Sequence, residues 1–174
     1  YFKVTGNSSL TCIETLDPAY ATANWTSANE NIDAGVTFAD ICYASNPSYT
    51  YVPDDNFEQA LIDLGYDDTL DDYVLTANIS GVTNLNVAGK EIGDLTGIED
   101  FTALTELWCH YNQLTTLDVS ANTALTNLNC EANQLTSLDV SANTTLTNLN
   151  CEANQLTSLD VSSNTALTNL HCNN

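Results

Sequence analysis

Leu125 to Thr145 reads LTNLNCEANQLTSLDVSANTT, and the next 21 residues, Leu146 to Ala166, read LTNLNCEANQLTSLDVSSNTA. An earlier copy, LTELWCHYNQLTTLDVSANTA, runs from Leu104 to Ala124, and a partial one, LTNLHCNN, from Leu167 to Asn174. A unit this short cannot bury an apolar face by itself. Stacked on its neighbours it can, and self-similarity at a fixed period marks such a solenoid. The periodic Leu and Val also argue against disorder, the usual state of a chain with 23 acidic residues and only two basic ones.

Each turn divides again. LTNLNCEAN and LTSLDVSAN share the pattern L-T-x-L-x-[CV]-x-x-N, which predicts two strand-like segments per turn. In each, the first, fourth and sixth residues face inward, and the third and fifth face solvent. The closing Asn is expected to fold its amide onto the backbone of the bend. Two corner columns follow: Asn112, Asn133, Asn154 and Asn122, Asn143, Asn164. The sixth position carries Cys109, Cys130, Cys151 and Cys172, spaced 21 residues apart. These read as a buried ladder of free thiols, since a single column cannot close the tetrahedron that zinc requires. Cys12 and Cys42 lie outside the ladder and are expected to pair.

The composite L-x-x-L-x-C-x-x-N-x-L-x-x-L-D-V-S-x-N resembles the bacterial leucine-rich repeat of the nested 21-residue class, found in secreted and surface proteins of the Bacteroidetes. The match runs from Leu104 to Asn174. It implies a leucine-rich-repeat solenoid of stacked parallel strands with little helix, in an extracellular or outer-surface protein. Upstream, residues 82–103 read as a slightly longer first repeat, with Leu85, Val87, Ile92, Leu95, Ile98 and Phe101 inward. Residues 56–81 are similar to the helical start-cap of such proteins. Asp54 to Asn56 offer its N-cap, Phe57, Leu61 and Leu64 its apolar stripe, and Gly65 its end. Residues 43–55 are expected to be a linker. Before it, VTGNSSLTCI (Val4 to Ile13) aligns with VSANTTLTNL (Val140 to Leu149). Residues 1–42 are accordingly expected to be the last half-repeat and closing cap of a preceding array, with Cys12 and Cys42 as its disulfide staple.

The net charge of −21 disfavours nucleic acid and anionic membrane surfaces as partners. No stretch is long and apolar enough for membrane insertion. No nucleophile–base pair or phosphate loop is present, and His110 and His171 lie in different repeats at offset positions. The sequence therefore points away from an enzyme, with no cofactor except, at most, calcium.

Two exposed faces carry candidate sites. On the first, Glu106, Trp108, His110, Asn127, Asn129, Asn148 and Asn150 point outward. Trp108 can stack on a sugar or partner side chain while amides hydrogen-bond it; alternatively it covers the joint between repeats. On the second, Asp118, Asp139 and Asp160 form a carboxylate column that calcium can bridge or that Ser hydroxyls and solvent can satisfy. A further acidic cluster (Asp63, Asp67, Asp68, Asp71, Asp72) departs from the spacing of a calcium loop. Within it Asp68-Thr69-Leu70 resembles the O-glycosylation sequence of exported Bacteroidetes proteins, making Thr69 a glycosylation candidate. Two roles remain open: a structural or adhesive unit self-associating head to tail into a fibre or stalk, and a module binding surface proteins or glycans. The near-identity of the repeats favours the structural role.

Overall fold

The computed structural model describes residues 12–14, 21–23, 25–26, 36–39 and 49–173, in two compact units, Tyr1–Asn46 and Pro47–Asn174. In the first unit, β1 (Cys12–Glu14) pairs in parallel with β2 (Thr37–Ala39). Residues 21–23 are helical, and the carbonyl of buried Ala21 accepts from the Trp25 amide at 2.8 Å. Cys42, the Cys12 side chain and residues 4–11 of the expected half-repeat lie outside the described residues.

The second unit begins with β3 (Tyr49–Tyr51), antiparallel to β4 (Tyr73–Leu75). The expected linker at 43–55 thus contains a strand. The reason is its alternation: Thr50 and Val52 both turn inward and are buried. Thr50 Oγ1 donates to Asp100 Oδ2 at 2.6 Å, tying this strand to the first repeat. The helix α1 (Asp55–Asp63) follows. Its N-cap is Asp54, whose Oδ1 accepts from the Asn56 and Phe57 amides at 3.0 Å. The other oxygen accepts from the Gly93 and Asp94 amides at 2.8 and 3.0 Å, so one carboxylate starts the helix and anchors it to the solenoid. Phe57, Ala60 and Leu61 form the buried stripe. Leu64 does not join it and is 45% exposed. It sits at the C-cap of a Schellman ending, where Gly65 at φ +79° bonds back to Ile62 O and Tyr66 to Leu61 O, both at 2.9 Å. That turn carries the chain away before another helical position can face the core.

A short helix, α2 (Thr76–Ile79), leads into the stack. Strands β5 (Asn84–Asn86), β6 (Glu106–Trp108), β7 (Asn127–Asn129), β8 (Asn148–Asn150) and β9 (Asn169–His171) form one parallel sheet in that order. Each turn adds one strand, in register with Leu85, Leu107, Leu128, Leu149 and Leu170 as the central column. The core beneath is continuous from Val52 and Phe57 in the cap to Leu156 in the last full repeat. Every inward residue expected in 82–103 is buried.

The second segment of each turn is not a strand. It retains one parallel bridge, Asp118 to Asp139. Its backbone donors are taken locally: the Ser120 amide by Asp118 Oδ1 at 2.9 Å, Asn122 N by Val119 O and Leu125 N by Asn122 O at 3.0 and 3.1 Å. Successive tight turns leave few groups for a ladder.

The corner asparagines do more than cap bends. Asn133 Nδ2 donates to Cys130 O in its own turn and Cys109 O in the previous one, both at 3.0 Å, while Oδ1 accepts from Leu114 N at 3.0 Å. Asn112 and Asn154 repeat the pattern. In the second column, Asn143 Nδ2 donates to Val119 O and Asn122 O at 3.0 and 2.9 Å, but the Oδ1 atoms of Asn122, Asn143 and Asn164 are buried without a partner. Replacing Asn133 by Ala orphans three backbone groups and should cost about 3 kcal/mol. Asn143→Ala leaves Val119 O and Asn122 O with their backbone donors, Asn122 N and Leu125 N, and removes an unpaired oxygen, so it should cost less. Urea unfolding of both variants checks the order.

Candidate functional site

The solvent side of the β5–β9 sheet brings most of the expected surface together. Along the first strand position run Asn84, Glu106, Asn127, Asn148 and Asn169, and along the third Asn86, Trp108, Asn129, Asn150 and His171. The amides bond along the stack. Asn148 Nδ2 donates to Asn127 Oδ1 and Asn169 Nδ2 to Asn148 Oδ1, while Asn84 Nδ2 donates to Glu106 Oε2 at 2.6 Å. Asn150 Nδ2 donates to Glu131 Oε2 at 3.0 Å. These bonds hold the amides in fixed orientation on a rigid sheet. Between the columns lies an open depression of about 440 Å³, walled by Trp108 and lined by Asn127, Asn129, Asn148, Asn150 and His171.

His110 sits apart, past the strand end, where its ring meets Trp108 at 6.2 Å and Tyr111 at 5.2 Å between centroids. Tyr111 was not anticipated as a surface residue. Its hydroxyl donates to Glu131 Oε1 at 3.2 Å, and the charge of Glu131 pushes the phenol pKa up. The signal was available: Tyr111 stands where the following turns have Ala132 and Ala153.

Asp118, Asp139 and Asp160 line the second segment of successive turns. Each carboxylate closes its own turn, accepting at 2.9 Å from the amides of Ser120, Ser141 and Ser162 respectively. Those backbone bonds, helped by the Ser hydroxyls, hold all three below the usual carboxylate range. Among the described residues no group of three or more His, Cys, Asp or Glu side chains is placed to hold a metal. The acidic segment near α1 is likewise occupied: Asp63 pairs with Lys90 at 2.9 Å, and Glu58 Oε1, inside the cap, accepts from the Asp71 and Tyr73 amides at 2.9 and 3.0 Å. Burial raises the Glu58 pKa. Thr69 is exposed, with its hydroxyl donating to Asp68 Oδ1 at 3.1 Å. No described helix is long and apolar enough to cross a membrane.

Cys109, Cys130 and Cys151 are buried free thiols, whereas Cys172, on the last described turn, is exposed. Burial pushes Cys109 up to about 12 and Cys151 to about 11, and Cys130 rises well above the ordinary value. These three buried thiols are neutral packing groups, not nucleophiles.

No protein-family model matches the chain. Over 72 residues it is 45% identical to internalin J of Listeria monocytogenes, covering 41% of this chain and 8% of that protein. Among solved structures it is similar to the functional domain of InlJ from Listeria monocytogenes, which includes a cysteine ladder. The identity is 43% and the TM-score 0.65, over 71% of this chain and 28% of that one. Internalin C2 of the same species, at 21% identity and TM-score 0.65 over 72% of this chain and 59% of that one, shares the fold. The chain spans a small part of internalin J. The fold is a leucine-rich-repeat solenoid of parallel strands with little helix, of the kind found in bacterial proteins.

The raised thiol pKa values carry a sign. A thiol whose folded pKa lies above the ordinary 9.0 favours the folded state fully below pH 9, and that contribution is lost as pH rises toward 11 to 12. The urea midpoint should therefore fall between pH 9 and pH 11. Of the four ladder thiols, iodoacetamide at neutral pH should label Cys172 alone in the native protein. Denatured and unreduced, the chain should show four reactive thiols if Cys12 and Cys42 are bridged; six would exclude that bridge.

Proposed function

We propose that the chain is part of a non-enzymatic bacterial surface protein that binds partner proteins through the solvent side of its parallel sheet. The carrying observation is the depression walled by Trp108: a partly apolar, amide-lined surface presented by strands whose backbone is locked in register. Sites on such elements hold their geometry better than sites on loops. The likeness of the repeats to internalin J supports the reading. Export to the outer surface, membership of the nested 21-residue Bacteroidetes class and glycosylation at Thr69 belong to the same proposal. The departure of one repeat from the others moves the weight from a purely structural role toward recognition.

Arrays of purified extracellular protein domains and of glycans, probed in parallel, test the reading. Binding to protein spots is expected, lost in Asn148→Trp and retained in Ser137→Trp on the serine–aspartate face. Signal confined to the glycan array, or insensitive to Asn148→Trp, overturns it.

A further inference from the structure

The turns are near-copies, so a departure in one of them isolates what that turn is for. Trp108, His110 and Tyr111 stand where the next two turns carry Asn129, Glu131, Ala132 and Asn150, Glu152, Ala153. All three departures are aromatic, and they meet edge to face at 6.2 and 5.2 Å. The core does not require them. Cys109 between them is as buried as Cys130 and Cys151, while Trp108 is 37% and Tyr111 59% exposed. The backbone does not require them either, since Tyr111 at φ +56° follows the same left-handed path as Ala132 at +52°.

Carboxylates border this ridge on two sides. Glu106 lies two residues before Trp108 on the same strand face, and Glu131 holds the Tyr111 hydroxyl from the next turn. Each is fixed by a neutral amide, from Asn84 and Asn150 respectively. Among the described residues neither has a cationic partner; Lys90 pairs with Asp63, and His171 Nδ1 lies 3.8 Å from Glu152 Oε1. The result is an exposed aromatic surface between two oriented, uncompensated negative charges.

We propose that the ridge anchors a basic segment of the partner protein. An arginine side chain lies flat on the Trp108 indole, and its guanidinium reaches Glu131, with Glu106 adding to the negative field. This rests on the protein-binding reading above and names the chemistry of its partner. Arginine fits best: its planar head stacks on aromatic faces and its fork of donors matches a carboxylate. A chain with a net charge of −21 and two basic residues repels its own copies, so the occupant is another protein. A neutral sugar stacked on Trp108 would leave both carboxylates uncompensated.

The probe is the peptide Gly-Arg-Gly-Arg-Gly, with its citrulline counterpart as the neutral isostere, titrated at near-physiological salt while the Trp108 indole N–H resonance is followed. The arginine peptide should shift that resonance and the citrulline peptide should not. Titrated by calorimetry, which needs no Trp108 signal, Trp108→Leu and Glu131→Gln should each show binding about tenfold weaker, or ~1.4 kcal/mol. Asp139→Asn removes the same charge elsewhere and should change it less than about twofold. Equal loss in Asp139→Asn would mean diffuse charge attraction and sink the proposal. So would unchanged binding in Glu131→Gln, or a shift produced equally by citrulline peptide or a chito-oligosaccharide. Protein-array binding that depends on Asn148 but persists in Trp108→Leu and Glu131→Gln would overturn the arginine anchor and leave the protein-binding reading standing.

Discussion

A coil that closes a circuit in 21 residues but places only three of them in a sheet must satisfy most of its backbone away from any ladder. At the corners, carbonyls and amides point into a core that water does not reach, and leaving one unpaired costs about 1–3 kcal/mol. Asn answers this because its short side chain both donates and accepts. Asn112, Asn133 and Asn154 use both ends and link each turn to the one before. The column through Asn122, Asn143 and Asn164 donates from Nδ2 but leaves Oδ1 buried and unpaired. The structure offers no partner for those oxygens among the described residues. The two columns therefore do unequal work, although the sequence writes them alike.

The same demand explains the cap. A solenoid's first turn exposes an apolar face and a strand edge, and something must cover them. Phe57 and Leu61 cover the face, with Phe57 packing on Phe101 at 6.3 Å between ring centroids. Asp54 then satisfies four backbone amides from two different elements with one carboxylate. Gly97 shows how closely the pieces meet: at φ +104°, an added Cβ would lie 2.8 Å from Tyr51 O, so only glycine fits.

The strongly periodic features were legible in the sequence. Leucine spacing, the Asn columns and the Cys ladder each repeat several times, and repetition exposes pattern. What occurs once was harder to read. Leu64 sits at helical spacing, but a glycine-based ending took it out of the helix before it could pack. The Leu-Thr-Ser-Leu-Asp-Val segment has the pattern of a strand, yet Asp and Asn side chains divert its backbone donors into turns. The Asp column lines up like charges, and one oxygen of each carboxylate is committed to its own turn, a bond that spacing alone does not reveal. On the strand face, Trp108 and the asparagines were found because alternation assigns them outward. Tyr111 was missed because it follows the strand, at a left-handed corner where alternation has ended.

Regularity also limits what a repeat face can recognise. A ligand held only by the Asn columns would find nearly the same surface at each turn from Asn127 to Asn150, and could bind in any register along it. One departure removes that degeneracy. Because the corner asparagines hold the backbone on a single path, a new side chain at an outward position changes the surface without disturbing the stack. Tyr111 illustrates this, sharing its backbone conformation with Ala132. Trp108, His110 and Tyr111 thus give the array a fixed point, and Glu106 and Glu131 give that point a charge. The asparagine ladder beyond it supplies rigid, register-matched donors and acceptors whose distance from the anchor is set by the turn count. Recognition in such a molecule comes from where its periodicity is broken, and the unbroken part acts as the ruler.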